Sequence, residues 1–167
     1  MSDSRITYRT DPMRRLLARA PEILIEELRA AVTEGSMLLE REVRERTPTS
    51  GAGTLRESIG ALPVSIGGGQ VAGGVATSLA YAVPVELGTK PHRAPIAPLV
   101  DWVRRKLGAS GPAGQAIARA IQVKIARAGT KGAFMFRDGF AAVERQVMDL
   151  LDAAVARAAA RIAGGGR

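Results

Sequence analysis

Between Glu22 and Arg46, apolar or small residues return every three or four positions, as Leu24, Leu28, Ala31, Val32, Gly35, Leu39 and Val43. That period leaves one helical stripe to bury and little room for any other local structure. The other faces carry Glu26, Arg29, Glu34, Arg41, Glu42, Arg44 and Glu45, a mixed-charge surface suited to water. Thr47-Pro48 ends the run, because the residue before a proline is pushed out of the helical region. Pro21 stands in the first turn of this helix, where its missing N–H costs nothing. Upstream, Met13–Ala20 is expected to form a short helical turn, and residues 1–12 an arm.

After that helix the period changes. Thr49–Gly53 reads as a small loop, and Thr54-Leu-Arg-Glu57 as a capping box opening a single turn, with Leu55 and Ile59 on its apolar side. Ala61–Ile66 and Gln70–Ser78 are short β-leaning runs separated by Gly67-Gly68-Gly69, the pattern of an antiparallel hairpin. Tyr81–Thr89 is a compact apolar segment, and Lys90–Pro98, with three prolines, an irregular loop. Helical spacing resumes in Pro98–Leu107, stopped by Gly108, and again in Pro112–Ala128, stopped by Gly129. Thr130–Asp138 is expected to be a loop. A last helix, Gly139–Ala163, would bury Phe140, Val143, Val147, Leu150, Leu151, Ala154, Ala158 and Ile162. Residues 164–167 are read as a flexible tail. The fold class expected is α+β: a long N-terminal amphipathic helix packed on a small antiparallel sheet, followed by two or three helices. A single domain accommodates all 167 residues, with a helix-and-hairpin core at 13–98 and a helical part at 99–163.

Composition narrows the chemistry. Aromatics are only 4% of the chain, so the core must come from Ala, Val, Leu and Ile. There is no cysteine, which removes disulfides, thiolate nucleophiles and thiolate metal sites. His92 is the single histidine, and no Asp/Glu pair at ligand spacing stands beside it. No Gly-x-Ser-x-Gly elbow is present, and the glycine runs lack the context of a phosphate or dinucleotide loop. Glu86 is a carboxylate in an apolar stretch, without an evident second carboxylate to complete a glycosidase pair. The expectation is therefore no catalytic, cofactor or metal site. Nor is a signal peptide or a membrane-spanning run expected from the residues given.

Charge is placed unevenly. The net charge is +8, and Lys90–Lys131 holds nine cations against the single acid Asp101, while the rest of the chain is neutral. Such a block attracts polyanions without reading bases. Arg104, Arg105, Lys106, Lys124, Arg127 and Lys131 are the candidates to face DNA. Trp102 is the only aromatic among them, which argues against a single-strand platform.

The middle of the chain carries a family likeness. Gly53-Thr-Leu-Arg-Glu-Ser-Ile59, the glycine-interrupted hairpin, then Ser78-Leu-Ala-Tyr-Ala-Val-Pro-Val-Glu-Leu-Gly-Thr89 follow one another in order. This arrangement resembles the small tail-completion, neck or head–tail joining proteins of long-tailed phages, including those of prophages and gene transfer agents. Thr47-Pro48 upstream agrees with it. So do Trp102-Val103, the Ala-Ile-rich helix and Gly129-Thr-Lys-Gly132 downstream, which resemble a longer branch. Leu87 stands where many relatives carry an aromatic residue. Many relatives end soon after the Gly-Thr loop in a proline-phenylalanine-leucine segment, a part that Phe134-Met-Phe136 would play here. The resemblance implies a structural, non-enzymatic virion subunit, assembled in the bacterial cytoplasm into a six-fold or twelve-fold ring. Its neighbours would be portal or adaptor proteins and tail-tube or terminator proteins, with transient nonspecific contact to genomic DNA and none to membrane. Leu55, Ile59, Tyr81, Glu86, Gly88 and Thr89 are then the candidates for the subunit contact. On the basic block alone, the alternative is a sequence-nonspecific, nucleoid-like DNA-binding protein.

Overall fold

The computed structural model describes residues 11–49 and 53–164. Most of the proposed arm and the end of the proposed tail lie outside them, although Asp11 and Pro12 belong to the first helix and Gly164 to the last. The elements in chain order are helix α1 (Asp11–Arg46), α2 (Thr54–Ser58), strands β1 (Gly60–Ala61), β2 (Ser65–Gly67), β3 (Gln70–Ala72) and β4 (Val75–Ala76). There follow α3 (Ala82–Leu87), β5 (Gly88–Thr89), α4 (Ile96–Leu107), α5 (Gly111–Ala128), β6 (Thr130–Lys131) and α6 (Met135–Gly164). The class is α+β, as expected. The strands form three separate two-stranded antiparallel ladders, β1–β4, β2–β3 and β5–β6, in place of one small sheet.

Two compact units result, and neither is a continuous stretch of chain. One comprises residues 1–37, 63–74 and 144–167; the other, residues 38–62 and 75–143. In the first, α1 is longer than its sequence signals indicate. Pro21 lies inside the helix instead of opening it. Lacking an N–H, Pro21 forgoes one bond of the helical ladder, and the helix continues on both sides of it. Ala31 is buried on α1 and Ala154 and Ala158 on α6, and Gly35 of α1 lies against Val147 of α6. Glu27 accepts from Arg157 Nε at 2.8 Å and from Arg161 Nη1 at 2.7 Å, and Glu26 accepts from Arg161 Nη2 at 2.9 Å. The hydrogen bond from Arg157, then that from Arg161, holds the Glu27 carboxyl below the usual carboxylate range. Ion pairs near the surface like these contribute little stability. The β2–β3 hairpin turns at Gly68 and Gly69, with φ of 57° and 76°, the pair of positive angles that a two-residue turn needs to match strand twist. Gly73, on its return, lies against Val32 and Ser36 of α1.

The second unit holds the main core: Val43, Leu55, Ile59, Ala82 and Met135, with Leu39, Val75, Leu79, Val85 and Phe136 packed around it. The α6 helix begins at Met135, four residues before the glycine at which a start was expected, so the loop expected over Thr130–Asp138 is largely strand and helix. Met135 is fully buried, whereas Phe140, read from sequence as part of the buried stripe, is half exposed. The start is early because Phe134, with φ of 51°, turns the chain into the helix, and its carbonyl accepts from Asp138 N–H at 2.8 Å. The Arg137 guanidinium stacks on the Phe134 ring, 3.9 Å from its centroid.

Candidate subunit-contact and polyanion surfaces

The segment Gly53–Ile59 is anchored by an exchange of arginines with the end of α1. Arg56 Nε donates to the Arg44 carbonyl at 2.6 Å and Arg56 Nη2 to the Glu45 carbonyl at 3.2 Å, closing the C-terminal turn of α1. In return Arg44 Nε donates to the Ile59 carbonyl at 2.9 Å and Arg44 Nη2 to the Glu57 carbonyl at 3.3 Å, closing the turn of α2. Each helix end thus satisfies its orphan carbonyls with the other's charge. The capping box read from sequence does not form. Gly53 holds the N-cap position, the N–H of Glu57 donates to the Gly53 carbonyl, and no side chain caps the turn. Ser58 Oγ shares a hydrogen bond with Thr77 Oγ1 at 2.7 Å, tying α2 to the link between β4 and α3.

Six residues are candidates for the subunit contact, and the fold separates them. Leu55 (6% exposed) and Ile59 (0%) are core residues, so they shape the surface from beneath and offer no contact area of their own. Tyr81 is 47% exposed at the start of α3. Val83 and Leu87 on that helix, which are not among the six candidates, are 61% and 65% exposed. A groove of about 380 Å³ opens beside them, lined by Leu79, Val83, Leu87 and Phe136 among other residues. Its walls are mostly apolar.

Glu86 lines the same groove but spends its carboxylate elsewhere. Oε2 accepts from the N–H of Phe136 at 3.0 Å and Oε1 from the N–H of Arg137 at 3.1 Å, in the first turn of α6. A carboxylate at a helix N-terminus satisfies orphan donors and meets the positive end of the dipole. Neighbouring main-chain bonds reinforce the latch: Ala133 N–H to the Val85 carbonyl at 2.8 Å, and Phe134 N–H to the Glu86 carbonyl at 3.0 Å. Replacing Glu86 with alanine should lower stability by about 1–2 kcal/mol, with Glu86→Gln losing less, as read by urea denaturation followed by circular dichroism. An unchanged midpoint for Glu86→Ala would show that the latch is not needed.

Gly88 and Thr89 form β5, and they meet the second Gly-Thr-Lys triplet of the chain. Gly88 is opposite Lys131 and Thr89 opposite Thr130, with the two threonine hydroxyls 2.9 Å apart. The likeness between Gly88-Thr-Lys-Pro91 and Gly129-Thr-Lys-Gly132 is visible in the sequence, though too short to claim as a repeat. The structure shows the two clasping each other.

The six basic candidates divide as well. Arg104, Arg105 and Lys106 lie on α4, where Asp101 pairs with Arg104 at 3.0 Å and with Arg105 at 3.7 Å. Lys106 Nζ donates to Thr49 Oγ1 at 3.4 Å. Lys124 and Arg127 are exposed, one turn apart on α5, which packs on α4, and Lys131 is exposed on β6. His92 is exposed in the loop between β5 and α4, its Nδ1 3.0 Å from the Lys90 carbonyl oxygen. Among the described residues no group of three or more His, Asp or Glu side chains could hold a metal ion, and no helix is long and apolar enough to cross a membrane.

Residues 11–88, just under half of the chain, match the model of the HK97-gp10-like family, whose description is "Bacteriophage HK97-gp10, putative tail-component". This part of the chain is therefore similar to a structural component of a phage tail. Neither a curated protein nor a solved structure matches the chain significantly.

Proposed function

We propose that the chain is a structural subunit of a tailed-phage head–tail junction, one copy in a closed ring of six or twelve through which DNA passes. The observation that carries this reading is the family match over residues 11–88, which takes in α1, the arginine exchange and α3 up to Gly88. Surface character supports it: an apolar groove flanked by the exposed side chains of Val83 and Leu87 is a patch that a neighbouring copy can cover. Head-to-tail contacts of one such patch with a different face close into a ring when the rotation per subunit fits. Leu55, Ile59, Glu86, Gly88 and Thr89 hold that face in shape, and Tyr81, Val83 and Leu87 meet the neighbour. Portal or adaptor proteins on one side and tail-tube or terminator proteins on the other are its partners in the virion.

Sedimentation velocity and negative-stain imaging test this. The wild type should form rings as concentration rises. Val83→Asp with Leu87→Asp should leave monomers, while the free energy of chemical unfolding changes by no more than about 0.5 kcal/mol, as for other exposed positions. A wild-type chain that stays monomeric at high concentration, and is missing from purified virions, would sink the reading. The second reading, a general DNA-binding protein, draws on the exposed cations of α5 and predicts tight duplex binding by the monomer alone.

A further inference from the structure

The chain from Gly88 to Ala94 runs antiparallel along Gln122–Lys131. Gly88 pairs with Lys131 and Thr89 with Thr130, His92 N–H donates to the Ile125 carbonyl at 3.4 Å, and Gln122 Nε2 donates to the Ala94 carbonyl at 2.6 Å. This register interleaves Lys90 and Arg93 of the loop with Lys124, Arg127 and Lys131 of α5 and β6. All five are exposed, and among the described residues none of the five makes an ion pair. Cations near the end of α5 are favoured by the helix dipole, which accounts for Arg127. It does not account for a proline-bounded loop that adds Lys90 and Arg93 to the same place. On α4, by contrast, Arg104 and Arg105 share the one carboxylate of Asp101, which halves their joint charge.

We infer that Lys90, Arg93, Lys124, Arg127 and Lys131 form a contact site for the phosphodiester backbone of duplex DNA, and that Arg104 and Arg105 are not part of it. None of the five is interleaved with an aromatic side chain on which an unpaired base could stack, so the ligand is a duplex and its sequence is not read. This deepens the junction reading, in which duplex DNA passes the ring, and it narrows the basic block to one half. The contact is electrostatic and exchanges quickly, which suits DNA that must move past.

The test is fluorescence anisotropy of two short labelled duplexes of unrelated sequence, titrated with the full chain at several salt concentrations. Both duplexes should bind alike. The slope of log K against log salt should approach about −4 to −5 if all five cations engage phosphates, each contributing roughly −0.9. Lys124→Gln with Arg127→Gln should bring that slope nearer zero by about 2, and Arg104→Gln with Arg105→Gln should leave it unchanged. A flat salt dependence, or an α4 pair that matters as much as the α5 pair, would overturn the inference. Binding to polyglutamate in place of duplex would overturn it in favour of an acidic protein partner. Ring formation is followed on the same samples: rings that ignore DNA refute this site alone, and DNA binding without rings refutes the junction reading.

Discussion

Gly129→Ala should destabilise the second unit by about 3–5 kcal/mol, from overpacking against a neighbouring backbone together with a forced backbone conformation. Gly129 has φ 72° and ψ −159°, and Gly88 has φ 78° and ψ −176°, a region that only glycine occupies readily. A Cβ on Gly129 would overlap the Thr89 carbonyl, and one on Gly88 the Thr130 carbonyl. Neither obstacle is the end of a flexible side chain, so neither can swing aside. Since whole domains are stable by only about 5–15 kcal/mol, such a loss should show as a greatly lowered urea midpoint or as insoluble protein. Gly67→Ala is the control, because Gly67 has no positive φ and open space around it, and it should shift stability by at most about 0.5 kcal/mol. If Gly129→Ala unfolds within about 1 kcal/mol of the wild type, the clasp is not a tight crossing.

Ile59→Ala should cost about 2–4 kcal/mol in the isolated subunit, before any assembly. Ile59 is fully buried in the core with Val43 at the end of α1, Leu55 and Met135. Truncation leaves a cavity that a core pinned by the arginine exchange cannot easily fill. The measurement separates two roles that the sequence left joined. A residue that contributes only to a subunit contact would leave the monomer's unfolding midpoint alone and change assembly instead. An Ile59→Ala monomer as stable as the wild type would place this side chain at the contact and out of the core.

The partners of the candidate residues lie far from them in the chain. The motif Gly53–Ile59 is recognisable, but the partners of its arginine are not, because Arg56 acts on carbonyls of the preceding helix and nothing in its neighbours announces that. Leu55, Ile59 and Tyr81 look alike in the sequence as contact candidates, and the fold buries the first two and leaves Tyr81 half exposed. Apolarity marks a residue for burial without saying whether the covering surface belongs to the same chain. Glu86 stands out in the sequence as a carboxylate among apolar residues; that its oxygens hold the start of α6 required two segments fifty residues apart to meet. The Gly-Thr-Lys triplets are a sequence signal of a long-range contact, since glycine permits backbones to approach closely.

What the amino-acid order determined alone was local: the buried stripe of α1 and its stop at Thr47-Pro48, the hairpin turn, the stops at Gly108 and Gly129, and the concentration of positive charge from Lys90 to Lys131. These features depend on periodicity, composition and backbone restrictions that act within a few residues, so they can be read without knowing the fold. Only the tertiary structure decided the rest: which cations keep an acidic partner, which apolar residues are covered, and which two glycine turns clasp. Those outcomes depend on contacts between distant segments, whose energies exist only once the chain has closed on itself.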